Sequence, residues 1–162
     1  MAKNVPFTPS ELNIDPIFQA QKSKSLQLRS EPISMRIRRL KILKKWIDNN
    51  TNHIQQAVYA DFKKPAVEVD LSDIYPVLTE LKDAIKHVKR WSREKKVDSS
   101  IAYISTTSYV KYEPKGVCLI IAPWNFPFNL TIGPLVSAIA AGNTAMIKPS
   151  NSKNDIGVIS GG

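Results

Sequence analysis

Residues Gly116 to Ser150 read GVCLIIAPWNFPFNLTIGPLVSAIAAGNTAMIKPS, and the order of their parts decides the fold. The stretch opens on an unbroken apolar run, Val117 to Ala122. A run without a polar break suits a strand covered on both faces. Pro123-Trp124-Asn125-Phe126-Pro127 follows, a stiff turn with one amide side chain at its centre. A helix of small and apolar residues is expected from Phe128 to Ala141. Gly142-Asn143 should end it, because glycine takes the left-handed conformation that closes helices. A second apolar run, Thr144 to Ile147, leads to Lys148-Pro149-Ser150. The pattern is strand, turn, helix, strand, with polar residues just beyond each strand. In open parallel sheets, ligands sit at those carboxyl ends.

The same stretch resembles the aldehyde dehydrogenase superfamily, and within it the class 3-like fatty or aromatic aldehyde dehydrogenases. The resemblance is carried by Pro123-Trp124-Asn125-Phe126-Pro127-Phe128-Asn129-Leu130, by Ala138-Ile139-Ala140-Ala141-Gly142-Asn143, and by Lys148-Pro149-Ser150. These come in the family's order and spacing, and a looser likeness reaches back to about Ser25. The implied fold is α/β but incomplete: N-terminal helices, a β-hairpin of an oligomerisation arm, then the first strand-helix-strand of a Rossmann-like parallel sheet. The expected divisions are a flexible arm (1–15), a helical N-terminal part of the cofactor-binding domain (16–100) and an oligomerisation hairpin (101–113). The first part of the NAD(P)-binding domain (114–150) and an atypical, truncated tail (151–162) complete them.

The resemblance also implies a chemistry. In such enzymes a cysteine thiolate attacks an aldehyde, hydride passes to NAD or NADP, and water hydrolyses the resulting thioester to a carboxylic acid. Asn125 would donate an amide N–H to the oxygen that gains negative charge, the kind of contact worth about 10²–10³ in rate elsewhere. The prolines at 123 and 127 would aim that amide in advance. A plainer reading makes Asn125 a turn residue bonded to its own backbone. Lys148 would contact the adenosine ribose, and Ala122 and Trp124 would line the cofactor side. Where the family often has a glutamate three residues after this lysine, the chain has Asn151, which leaves NAD and NADP undivided. The implied partners are a small-molecule aldehyde and, in the full-length protein, a second copy in a homodimer.

The resembled enzymes carry their nucleophilic cysteine, their deacylating glutamate and their pyrophosphate-binding glycine turn further along. None is expected here, and the tail NSKNDIGVISGG reads as a fragment, a premature stop or a shifted frame. Cys118 lies inside an apolar strand with no base or cation beside it and reads as structural. His53 and His87 stand alone, without a second ligand at metal spacing. Glu68, Glu80 and Asp83 read as solvated side chains or caps.

Bulk properties set wider limits. The 162 residues suffice for one domain with a real core, and 43% hydrophobic content is ordinary. One cysteine excludes an internal disulfide. No apolar run approaches the ~20 residues of a membrane span, and no secretory signal is evident, so a cytoplasmic setting is expected. The net charge of +9 gathers from Lys22 to Lys45 and from Lys86 to Lys96. These clusters read as solvated helix faces, with no nucleic acid expected, since no nucleic-acid motif accompanies them. A rival reading makes them a non-catalytic module for anionic surfaces, with Arg36, Arg38 and Arg39 central. A third sees a remnant without function of its own.

Along the chain, a helix is expected over Ile17 to Arg29, resting on Phe18, Leu26 and Leu28. Ser30-Glu31-Pro32 should start a second, running to about Asp48 on the stripe Ile33, Ile37, Leu40, Leu43 and Ile47. Asn49-Asn50 should break it before a third helix through Ala60. Lys63-Lys64-Pro65 is another break. A long helix over Ala66 to Trp91 follows on Leu71, Ile74, Leu78, Leu81, Ile85 and Val88, kinked by Pro76 near Ser72 to Asp73. Ser92 to Ser100 reads as a charged linker. Ile101 to Glu113 reads as a hairpin turning at Ser105 to Ser108.

Overall fold

The structure is a computed structural model that describes residues 13–99 and 105–150. Helix α1 spans Ile14–Arg29 and starts ahead of the expected Ile17, because the Asn13 side chain accepts a hydrogen bond from the Asp15 N–H. Of its expected contacts only Leu28 is buried; Phe18 and Leu26 are exposed, and Ser25 takes an inward place instead. Residues 1–12 of the expected arm lie outside the described residues. Ser30 ends α1 rather than capping the next helix, its hydroxyl donating to the Gln27 carbonyl.

Helix α2 spans Ile33 to Phe62 with a kink at Asn50, the place where Asn49-Asn50 was expected to interrupt it. Asn50 leaves helical geometry (φ −116°, ψ 15°), yet its amide donates 2.7 Å to the Trp46 carbonyl one turn back. Thr51 donates likewise to Ile47. Such back-bonding bends a helix without ending it. The helix closes at Lys63, which adopts the left-handed conformation at φ 57° while its N–H reaches the Tyr59 carbonyl. A side chain there costs roughly 1–2 kcal/mol that glycine avoids. Lys63→Gly is therefore expected to raise stability slightly, by under about 1 kcal/mol once unfolded-chain entropy is counted. Thermal denaturation checks this.

The expected kink from Pro76 is present and has a definite form. Helix α3 (Ala66–Val69) passes into a π-helical turn, Asp70–Ile74, and then into α4, Tyr75–Trp91. The Tyr75 N–H donates to the Asp70 carbonyl, five residues back. Pro76 has no N–H for the Ser72 carbonyl, and its ring would crowd that carbonyl in an ordinary α-turn. The surplus residue opens the turn. It also shifts the phase: Val69 is buried and the expected Leu71 is exposed.

The core forms where α2, α4 and α5 (Asn129–Ala141) meet. Leu40, Ile47, Ile54 and Val58 face Val69, Val77, Leu81 and Val88, with Phe128, Val136 and Ala140 from the α5 side. Each fully buried branched side chain contributes on the order of 1.5–3 kcal/mol.

Two small sheets complete the fold. Strands β1 (Lys95–Val97) and β2 (Ser108–Val110) pair antiparallel, Lys96 opposite Tyr109. Strand β1 thus falls in the supposed linker and β2 within the expected hairpin; residues 100–104 lie outside the described residues. Lysine is a common resident of exposed edge strands, so the charge of this segment did not preclude pairing. Strands β3 (Val117–Ile121) and β4 (Thr144–Lys148) pair parallel, Val117 opposite Thr144 and Ile121 opposite Lys148, with α5 as the crossover. Helices α1 and α5 pack on this sheet. Leu119 and Ile121 remain exposed, as expected of a strand pair for which this chain supplies only part of the covering shell.

Candidate functional site

The parallel register brings both strand ends to one place. The Ala122 N–H donates 3.1 Å to the Lys148 carbonyl, so β3 and β4 finish side by side. Ala122 is buried, and the chain then turns outward. Trp124 is largely exposed, and its ring stacks on Phe62 at the end of α2, centroids 6.3 Å apart and planes 13° from parallel. Asn125 is exposed at the tip. Among the described residues its side-chain amide has no hydrogen-bond partner, so the turn-bonded reading of Asn125 does not describe this geometry. Lys148 is exposed at the carboxyl end of β4. The four sequence candidates thus lie on two adjoining strand ends, with Asn125 three residues beyond the last shared hydrogen bond.

Other residues hold this turn, and sequence reasoning did not find them. The Lys64 ammonium donates 3.1 Å to the backbone carbonyl of Asn125 and lies 4.2 Å from the Phe126 ring centroid. It also pairs at 3.5 Å with Asp73, which is fully buried in the π-helical turn. The other Asp73 oxygen accepts the Asn129 N–H at 3.2 Å, at the start of α5. Asn129 Nδ2 donates 3.1 Å to the Ser72 carbonyl, the one Pro76 leaves without its helical donor. Pro76 was the available signal, but only the π-helical turn reveals that Asp73 faces inward.

Several residues lie away from this place. Cys118 is half-buried within β3, opposite Ala145. His87 pairs with Asp83 on α4, and no cluster of three metal-ligating side chains occurs among the described residues. The expected anionic-surface triad comes apart. Arg36 is buried against the end of α5, Arg39 pairs with Glu31, and of the three only Arg38 is exposed. A cavity of about 660 Å³, open to solvent, lies between the ends of α4 and α5, and its lining includes none of the four candidates. No described helix is long and apolar enough to cross a membrane.

With this geometry in hand, comparison with known proteins is decisive for the class: residues 6–157 match the aldehyde dehydrogenase family, and the chain belongs to it. It is similar to the 4,4'-diaponeurosporen-aldehyde dehydrogenase of Staphylococcus aureus, 43% identical over 82% of this chain and 28% of that protein. It is also similar to the human aldehyde dehydrogenase family 3 member B1, 35% identical over 78% of this chain and 27% of that one. Among solved structures, a substrate-bound aldehyde dehydrogenase of Staphylococcus aureus superposes with a TM-score of 0.81 at 42% identity, over 86% of this chain and 30% of its own. A glyceraldehyde-3-phosphate dehydrogenase of Methanocaldococcus jannaschii, complexed with NADP, shares the fold at 24% identity and a TM-score of 0.78, over 91% of this chain and 31% of its own. The chain thus spans less than a third of the length of these relatives.

Proposed function

We propose that this chain supplies the oxyanion donor and one edge of the cofactor site of an NAD(P)-dependent aldehyde dehydrogenase that oxidises aldehydes to carboxylic acids. The observation that carries this reading is Asn125: an exposed amide, unspent among the described residues, on a stiff turn at the carboxyl end of a parallel strand. Its N–H donates to the aldehyde oxygen as that oxygen gains charge, and a donor fixed beforehand stabilises the charge without reorganising. The nucleophilic cysteine and the deacylating glutamate belong to segments outside these residues, so the chain by itself turns over no aldehyde.

NAD or NADP fits the other edge. Lys148 stands at the end of β4, where its ammonium would meet the adenosine ribose, and Ala122 and Trp124 would form the wall beside it. The bound nicotinamide would accept the hydride. The β1–β2 hairpin serves homodimer assembly in this reading, and the setting is cytoplasmic.

The experiment is an exchange. Residues 6–157 replace the matching segment of the Staphylococcus aureus relative, and aldehyde-dependent formation of NAD(P)H is followed. Turnover by the chimera and none by the isolated chain is the expected pair of results. A folded, cofactor-binding chimera without turnover, or turnover by the chain alone, contradicts the proposal.

A second reading draws on one feature of α2. Arg38, Lys41 and Lys45 surround exposed Ile42 and Trp46 on its outer face, an arrangement suited to anionic lipid. Retention on anionic vesicles that falls with salt and vanishes on neutralising these three cations is its expected result. Equal retention on neutral vesicles excludes it.

A further inference from the structure

We infer that Lys64, seated on buried Asp73, is a positioning residue for Asn125, fixing the turn through its backbone so that the side-chain amide stays available. The inference rests on the oxyanion role proposed for Asn125, but its geometry stands apart from that role.

The turn from Pro123 to Pro127 projects from the sheet and lacks strand neighbours beyond Ala122. What holds it is the region joining α2 to α4. Trp124 stacks on Phe62, the Asn125 carbonyl accepts from Lys64, and the Phe126 ring lies under the same ammonium. One cation therefore grips two consecutive residues at 3.1 Å and 4.2 Å. Asp73 keeps that cation in place at 3.5 Å and, through its second oxygen, holds the N–H of Asn129 where the turn enters α5. The turn is thus secured at Trp124, Asn125, Phe126 and Asn129 by a single neighbouring segment.

The atom chosen matters. Lys64 bonds the peptide carbonyl of Asn125, not its side chain. A bond to the side-chain oxygen would tie up the amide; a bond to the peptide oxygen fixes the backbone from which that amide projects. Lys64 is itself suited to the task, because its side chain is only 14% exposed and Asp73 not at all. A long, flexible cation in open water would hold nothing so narrowly. The fixed left-handed turn at Lys63 and the proline at 65 on either side limit where its stem can point.

The test uses the whole chain in solution, by NMR. In the unaltered chain, the Lys64 ε-methylene protons should be shifted upfield by the Phe126 ring and show a nuclear Overhauser contact to it. No substitution is needed for this reading, and the absence of both signals overturns the proposal. Lys64→Met keeps the length and removes the donor. It should move the Asn125 carbonyl carbon resonance and drop order parameters across Trp124 to Phe126 from about 0.85 to below about 0.6, with the core amides of α4 unmoved. Lys64→Arg should restore both. A turn equally rigid in Lys64→Met, with an unmoved carbonyl, overturns the proposal, as does failure of arginine to restore an altered one. Asn125→Ala should leave the Lys64 signature intact, since the bond is to the backbone. Loss of the oxyanion role in the chimera would then leave the positioning result standing, and the reverse.

Discussion

Asn125→Ala, placed in the chimera that carries residues 6–157, is expected to lower kcat by about 10²–10³ and to leave KM nearly unchanged. The size follows from the timing of the interaction. A neutral aldehyde oxygen gains little from one amide donor that water can replace. The charged oxygen formed on nucleophilic attack gains far more, in a site from which water is excluded. An interaction made chiefly in the transition state lowers kcat and kcat/KM together. Asn125→Gln separates donor chemistry from placement. It retains the N–H but carries it one methylene further, and a misplacement of about 1 Å can cost about 10². A glutamine variant as poor as alanine would show that placement governs. Unchanged kcat in Asn125→Ala would remove Asn125 from the reaction. Steady-state kinetics with a saturating cofactor decides between these.

Gly142→Ala carries the largest expected effect on stability, about 2–4 kcal/mol from two sources. Gly142 closes α5 at φ 86°, where any Cβ costs roughly 1–2 kcal/mol. An added Cβ would also lie 2.5 Å from Cζ of Arg36. That guanidinium is the far end of a flexible side chain and borders the open cavity between α4 and α5, so its retreat would cost its present packing and hydrogen bond rather than a backbone shift. It is buried, it reaches the Ala140 carbonyl at 3.5 Å, and its Nε has no partner among the described residues. Burial lowers its pKa from the usual arginine value, as does the neighbouring charge of Arg39, while Glu31 acts in the opposite direction. The two sources can be separated by a double-mutant cycle. In an Arg36→Ala background the close contact is gone, and Gly142→Ala should cost only the conformational part, about 1–2 kcal/mol. Equal penalties in both backgrounds would show that the Arg36 side chain yields freely. Urea denaturation of the four proteins gives the answer.

The elements easiest to read in the sequence were those whose signals are local. Gly142, the apolar run at Val117 and the Pro65 break each act within a few residues, and the structure has its boundaries there. The hairpin was harder, because Lys95 to Val97 looks like linker until Ser108 to Val110 is set beside it. Asn50 was legible as an interruption, and its bond to Trp46 gives that interruption the form of a kink. The stripe on the long helix was correct after Ile74 and wrong before it, because one surplus residue in the π-helical turn changed which side faces inward. Leu71 faces outward and Asp73 inward on that account. At the site, Asn125 and Lys148 could be singled out from their motifs. Lys64 and Asp73 could not, since their roles depend on contacts spanning 61 and 56 residues.

That turn also says something about how the length of this chain can vary. A regular α-helix tolerates no single insertion or deletion, because each rotates everything beyond it by about 100°. Asp70–Ile74 already holds one residue more than an α-turn would. Removing one there would return the segment to ordinary helix, bring α3 into phase with α4 and release Asn129 from Asp73. Adding one elsewhere in α4 has no such outlet. Among related sequences, a one-residue gap in this helix should therefore fall between 70 and 74 and nowhere else along α4. Sequences that carry the gap should lack both the proline at 76 and the acid at 73.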